Sequence, residues 1–288
     1  MVVSAERRTA GLLGGFSEEF TRLFDRSFGT DWAENAEILA LLRIVTVDGT
    51  TTRVIAQDSG LDRRAVTRLI ARLRDRGIVT VARTPVDGRT VAVVLTPEGR
   101  RLARRLPGEF TELFRNSASH AAEIVNLLHG PEDVTPPPVG EPLELAREIA
   151  RVGIQLGDHT RAATGGALRP GRQLAALAQI DANPGIRPSR LSAFLGVTRG
   201  GAAYVIDQLS AAGLVERLRG TVPDDSRAVV LRPTPAGVRV ATQLVDAISA
   251  NRAALIAVHS AIAAYARTPD PAATATAADQ FQSALEPD

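Results

Sequence analysis

The chain contains no cysteine and no lysine. The first absence excludes disulfides, thiolate nucleophiles, thiol redox sensing and cysteine-ligated metal sites together. The second leaves all 34 basic residues as arginine, so arginine position carries more information than arginine identity. Histidine is scarce: His120, His129, His159 and His259 stand apart, without His-x3-His or His-Glu-x-x-His spacing. No metal site and no cofactor is expected. No run approaches the roughly 18 uncharged apolar residues of a membrane helix. The opening MVVSAERRTAGLL has neither a continuous apolar segment nor a small-residue cleavage site. A soluble, cytoplasmic protein without a membrane partner is therefore expected. No nucleophile–base–acid constellation or phosphate-cradling glycine loop is found; GLLGG and TRGG are too short and wrongly flanked. An enzyme is not expected.

What is present is arginine, unevenly placed. The net charge is only +2, but residues 63–105 hold twelve arginines against Asp75, Asp87 and Glu98, a local excess of +9. The rest of the chain is acidic on balance. A concentrated basic patch in a nearly neutral molecule points to a polyanionic partner at one place rather than to general stickiness.

A length of 288 residues fits two domains. HGPEDVTPPPVGEP interrupts helical patterning with three consecutive prolines. The expected division is residues 1–130, a proline-rich linker at 131–140, and residues 141–288, with a tail after 268 that is frayed or forms one short helix.

In the first unit Phe16, Phe20, Phe24 and Phe28 follow at i+4 steps and give one helix an aromatic face. A second helix carries Trp32, Ile38, Leu41 and Leu42. A short helix over residues 51–58 turns inward Val54 and Ile55, SGL makes a tight turn, and Asp62 caps a longer helix burying Val66, Leu69, Ile70 and Leu73. Two helices joined by a short glycine-containing turn are a helix-turn-helix pattern. Gly77 ends the second of them, and IVTVARTPVDGRTVAVVLT reads as a β-hairpin with Val79 and Val81 alternating against Ile78, Thr80 and Ala82. Thr96 and Pro97 then open a long helix carrying Leu102, Leu106, Phe110 and Phe114, kinked at Pro107.

The same order returns in the second unit, ending on one long helix opened by Thr234 and Pro235. Leu61, Leu69, Leu73 and Gly77 match Val197, Val205, Leu209 and Gly213 at an offset of 136. Asp87, Arg89, Thr96 and Gly99 match Asp225, Arg227, Thr234 and Gly237 at 138.

These residues resemble the MarR family of winged helix-turn-helix transcriptional regulators, and they do so twice. The wing pattern, Asp-x-Arg followed by Leu-Thr-Pro-x-Gly, is met by Asp87, Arg89, Leu95, Thr96, Pro97 and Gly99. The second copy meets it with Asp225, Arg227, Thr234, Pro235 and Gly237, with Pro233 in place of leucine. The resemblance implies a mainly α fold with small β-hairpin wings, here two tandem winged domains sharing a helical dimerisation-like layer. Family members are usually homodimers, so two fused copies imply a single-chain pseudo-dimer; a homodimer of chains carrying four winged domains is the alternative.

Side chains early in a recognition helix reach base edges in the major groove, and wing-tip arginines suit the narrow minor groove. Arg63, Arg64, Thr67, Arg68 and Arg89 are the candidates in the first unit, with Thr51 and Thr52 as phosphate contacts at a helix start. Arg199 and Arg227 are their counterparts in the second. There residues 199–241 carry only +2, and Gly200 and Gly201 occupy the first turn where Arg64 and Ala65 stand in the first unit. Double-stranded DNA is the expected partner, bound mainly by the first unit, and regulation is expected to be repression. The family often binds phenolic or drug-like effectors, which nominates Phe16, Phe20, Phe24, Trp32, Phe110 and Phe114 as pocket residues or as core. A small-molecule-sequestering protein that keeps the fold but has lost DNA function is the alternative activity.

Overall fold

The computed structural model describes residues 5–30, 33–83, 91–129, 139–163, 172–219 and 228–267. The expectations for Trp32, Arg89, Arg227, the linker up to residue 138 and the tail lie outside the described residues.

The first half runs α1 (Ala5–Phe28), α2 (Asn35–Thr46), β1 (Thr50–Thr51), α3 (Thr52–Ser59), α4 (Arg63–Asp75), β2 (Val79–Arg83), β3 (Val91–Leu95) and α5 (Pro97–His129). The second runs α6 (Pro142–Ala163), α7 (Arg172–Ala182), α8 (Pro188–Leu195), α9 (Arg199–Ala211), β4 (Val215–Arg219), β5 (Val229–Pro233), α10 (Pro235–Ala250), α11 (Arg252–Ala264) and a 3-10 turn at Tyr265–Arg267. The fold is mainly helical with two small antiparallel sheets, ordered β1-β3-β2 and β4-β5. No single helix among the described residues is long and apolar enough to cross a membrane.

Local chemistry accounts for the helix-turn-helix elements. In α4, Val66, Leu69, Ile70 and Leu73 recur at helical spacing and are buried, while the arginines between them face out. Gly60, with φ +73°, ends α3 in the left-handed region that favours glycine. Beyond that turn Asp62 starts α4 by accepting the Ala65 N–H at 2.8 Å.

The two halves repeat individual bonds. Thr96 donates its hydroxyl to the Gly77 carbonyl at 2.6 Å, and Thr234 donates to Gly213 at 2.6 Å. Thr50 pairs with Val93, and an isolated bridge joins Ile186 to Leu231. Gly49 N–H donates to the Val93 carbonyl at 3.1 Å, and Gly185 to Leu231 at 2.8 Å. All of these keep the offsets of 136 and 138 read from the sequence.

Val79 is buried but Val81 is 38% exposed, because β2 leaves the helices after its first residue. Pro107 lies inside α5, which continues as one helix of 33 residues. The long helix expected after Thr234 is two helices, α10 and α11, bent by 74°. Asn251 sits at the break with φ −102° and ψ 12°. Its backbone N–H still donates to the Ala247 carbonyl at 3.1 Å, and its side-chain Nδ2 donates to the same carbonyl at 2.8 Å and meets His159 Nδ1 of α6 at 2.9 Å.

Between the halves the packing is reciprocal. Helix α1 lies against α7, and α6, which follows α1 by the same offset, lies against α2; α5 lies against α11. Contacts of this i-to-j and j-to-i kind are those of a twofold interface. Gly14 lets α1 approach α7 closely, since a Cβ there would come within 3.3 Å of the Ala175 Cβ. GLLGG is thus a helix-packing surface. Buried side chains from both halves form one continuous core.

Candidate nucleic-acid interface

Arg63, Arg64, Thr67 and Arg68 all lie on the exposed face of the first two turns of α4. The Thr67 hydroxyl donates to the Arg63 carbonyl at 2.8 Å within the helix. Among the described residues none of the three arginines has an ion-pair partner within bonding distance. The N–H of Ala65, and then of Arg64, bonded to the Asp62 carboxylate hold its pKa below the usual value; Arg68 and Arg64 add to this through their charge. Asp62 is a cap, permanently ionised at neutral pH.

The rest of the basic cluster divides by what its members touch. Arg72 pairs with Glu37 at 2.5 Å, Arg101 with Glu98, and Arg105 with Glu109 at 3.9 Å. Arg100 donates to the Leu95 carbonyl at 2.7 Å and stands 3.8 Å from Asp48. These are exposed or half-exposed structural pairs worth little individually. Among the described residues Arg63, Arg64 and Arg68 carry no ion pair at the N-terminal end of α4, the end at which a recognition helix meets bases; Arg74, Arg76, Arg83 and Arg104, exposed elsewhere in the cluster, carry none either.

Thr51 is the N-cap of α3, its hydroxyl oxygen accepting the Val54 N–H at 3.3 Å. Thr52 is the exposed first residue of that helix. Thr51 therefore has a structural role whatever else it contacts. Hairpin β2–β3 carries the chain outward to Arg83, paired with Val91, and β4–β5 does the same to Arg219, paired with Val229.

In the second half Thr198 caps α9, accepting the Gly201 N–H at 3.1 Å. Arg199 and Gly200 are exposed, and Tyr204 is 64% exposed where Arg68 stands in the first half. Arg217 is held by Asp207 at 2.6 Å. Sequence reasoning missed Arg187 and Arg190. They are exposed at the start of α8, at positions 136 residues after Thr51 and Val54. A charge count begun at residue 199 leaves them out; extending the offset back through α8 would have found them.

The candidate effector residues separate. Phe16 and Phe20 line a cavity of about 130 Å³ among α1, α6, α7, α10 and α11. Phe24, Phe110 and Phe114 do not line it. They belong to a buried aromatic stack, with Phe24–Phe110 ring centroids 5.5 Å apart and Phe110–Phe114 5.7 Å apart. A second cavity, about 360 Å³, lies among α1, α5, α8 and α11 and is lined in part by Glu19, Arg22, Ser117 and His120.

His259 lines both cavities. Its Nδ1 lies 2.7 Å from the Leu255 carbonyl, an acceptor, so Nδ1 carries the hydrogen and Nε2 is left as a buried acceptor without a partner among the described residues. Burial lowers its pKa to about 4, only partly offset by the Leu255 carbonyl, so the ring is neutral. Glu18, buried on α1 with Arg22 at 3.2 Å, has its carboxyl pushed up by burial against the opposing pull of that guanidinium. Among the described residues no three His, Asp or Glu side chains gather where they could hold a metal ion.

A model of the MarR family matches residues 169–228, from the segment before α7 to the second hairpin. The match covers about a fifth of the chain and supports a winged-helix regulator of that type. It falls on the half whose α9 carries fewer arginines than α4 does. No curated protein matches the chain.

Proposed function

We propose that the chain is a DNA-binding transcriptional regulator made of two tandem winged helix-turn-helix units, residues 1–130 and 141–288, folded on each other as a single-chain pseudo-dimer. The carrying observation is α4: one face packs into the core while Arg63, Arg64 and Arg68 stand exposed on its first two turns, without an ion pair among the described residues. The reciprocal packing of α1 on α7 and α6 on α2 supports the pseudo-dimer, because each half supplies what a second chain would. A linker also raises the effective concentration of the partner half into the millimolar range.

The halves are unequal readers. The first offers cations to base edges, with Arg89 for the minor groove; Arg199, Arg227, Arg187 and Arg190 give the second mainly backbone contacts. The operator need not be palindromic, and regulation is by repression relieved by a small molecule. The protein works in the cytoplasm, without catalysis.

Selection of bound duplexes from a random pool, followed by fluorescence anisotropy on the winning site, tests this. Arg63→Ala or Arg68→Ala should lower affinity by about 10–100-fold and relax the base preference beneath α4, whereas Arg199→Ala should cost much less. Equal losses would remove the asymmetry. The cavity between α1 and the helices of the second half favours one further reading, small-molecule sequestration without DNA function; any submicromolar, sequence-dependent binding removes it.

A further inference from the structure

The second helix-turn-helix is held to the helical layer at a point where the first is not. Phe194 of α8 lies over Gly14 and Gly15 of α1: a Cβ on these glycines would come within 3.5 and 3.4 Å of its ring. Two turns further along α1, Arg22 covers Gly196, the residue with φ +58° that ends α8; a Cβ there would collide with the guanidinium. Buried Glu18 holds that guanidinium at 3.2 Å. Both contacts cross from the first half to the second.

At the offset of 136 the counterparts of these residues are otherwise engaged. Asp58 stands for Phe194 and pairs with Arg43 of α2 at 3.1 Å, inside its own half. Ala150 and Arg151 stand for Gly14 and Gly15, so α6 carries side chains where α1 offers an open notch. Asp158 stands for Arg22 and pairs with Arg161 of its own helix at 2.6 Å. Gly60, the counterpart of Gly196, keeps the left-handed conformation, but a Cβ on it would meet nothing within 4 Å.

We propose that Phe194 and Arg22 are positioning residues, which fix the second reading head on the helical layer while the first head is free to tilt. Each head joins the layer through its leading helix, α2 on α6 and α7 on α1. One such joint leaves a rotation about itself; a second anchor, at α8, removes it. Helix α8 passes the restraint to α9, since the two pack together and the Ser192 hydroxyl donates to the Val197 carbonyl at 2.8 Å in the turn between them. The angle of α9 to the duplex is thereby set in advance, and with it the spacing at which both heads can engage one face of the DNA. The inference deepens the DNA-binding reading and rests on it for this consequence, though not for the restraint itself.

The absence of cysteine lets spin labels be placed without background. Labels at Ser119 of α5 and Ala203 of α9 read the second head, and labels at Ser119 and Thr67 read the first; all three positions are exposed. In the full chain without DNA, the Ser119–Ala203 distance distribution should be the narrower of the two. Phe194→Ala and Arg22→Ala should each broaden it and leave the Ser119–Thr67 distribution unchanged, whereas Phe194→Leu, which keeps an apolar side chain in the notch, should restore most of the narrowness. Should the alanine variants fail to fold, the two widths in the unaltered chain decide alone. Equal widths, or a Ser119–Ala203 distribution indifferent to Phe194→Ala, would overturn the proposal. On the selected duplex, one base pair inserted between the contacted segments should cost the unaltered chain about tenfold in affinity, the effect of about one misplaced base contact, and Phe194→Ala only about twofold. An equal penalty in the two proteins would overturn it as well. The two readings fail separately: a narrow second head in a chain that binds no duplex keeps the restraint and removes the regulator, and specific binding with equal widths does the reverse.

Discussion

The Asp48 carboxylate accepts the backbone N–H of Leu95 at 2.8 Å, joining the turn before β1 to the last residue of β3. At the matching positions of the second half stand Pro184 and Pro233. Proline has no N–H to donate, and the carboxylate that would accept it is absent too. Donor and acceptor have gone together, so nothing is left unsatisfied, and the departure of Pro233 from the Leu-Thr-Pro-x-Gly pattern has a structural reason.

Removing one member alone should therefore be costly. Asp48→Ala is expected to lower the unfolding free energy by about 1–3 kcal/mol, by leaving the Leu95 N–H without its partner. Asp48→Asn, which keeps a side-chain acceptor, should recover most of it. Urea denaturation of the three proteins checks the order; an Asp48→Ala variant as stable as the parent would refute it.

Thr96 and Thr234 each donate to a glycine carbonyl and accept a cap N–H, from Gly99 and Gly237 at 3.0 Å in both cases. Thr96→Ala and Thr234→Ala should each cost about 1–2 kcal/mol. A large difference between them in denaturant midpoint would contradict their equivalence.

Glycines at the same corners make a sharper contrast. A Cβ on Gly99 would collide with the Ile78 carbonyl, and one on Gly237 with the Leu214 carbonyl. Gly108, inside α5, would meet nothing within 4 Å. Gly99→Ala and Gly237→Ala should destabilise by about 3 kcal/mol, since backbone cannot yield cheaply. Gly108→Ala should stabilise by about 0.5–1 kcal/mol through helix propensity. Thermal melts read both signs.

His259 sets a pH dependence whose sign follows from burial. Its pKa is lowered from 6.5 to about 4, so the unfolded chain binds its proton more readily than the folded one. The contribution is fully present above pH 6.5, declines as pH falls through that value and is lost by about pH 4. Its size is about 3 kcal/mol, at 1.36 kcal/mol per pKa unit. The difference in stability between the parent and His259→Leu, measured from pH 7.5 to 4.5, should shrink or reverse along that window; a constant difference would show that His259 titrates normally.

Much of this was legible in one dimension because the signals are local. Helical spacing of Val66, Leu69, Ile70 and Leu73, the Asp62 cap and the Thr96 cap depend on neighbours within about one turn, and all three stand as read. The offsets of 136 and 138 carried over into hydrogen bonds for the same reason: a repeated pattern repeats its local bonds. The aromatic face of α1 was legible as well, but not what it meets. Phe24 and Phe110 are 86 positions apart, and only folding decides that they share a stack instead of lining a cavity.

The break at Asn251 shows the limit most directly. Asparagine is compatible with a helix interior, and α5 tolerates even Pro107. At the end of α10 a tertiary contact accompanies the local bonds, His159 of α6 lying against the Asn251 amide. From sequence alone follow most of the element order, though not β1 or the break between α10 and α11, together with the internal correspondence, the caps and the concentration of arginine on α4. Tertiary structure alone decided which arginines are tied to carboxylates, where a cavity remains between the halves, and that His259 lies in its wall. The reason is one of range: caps and periodicity act over a few residues, whereas burial, pairing and empty volume are set by side chains that meet only once the helices have packed.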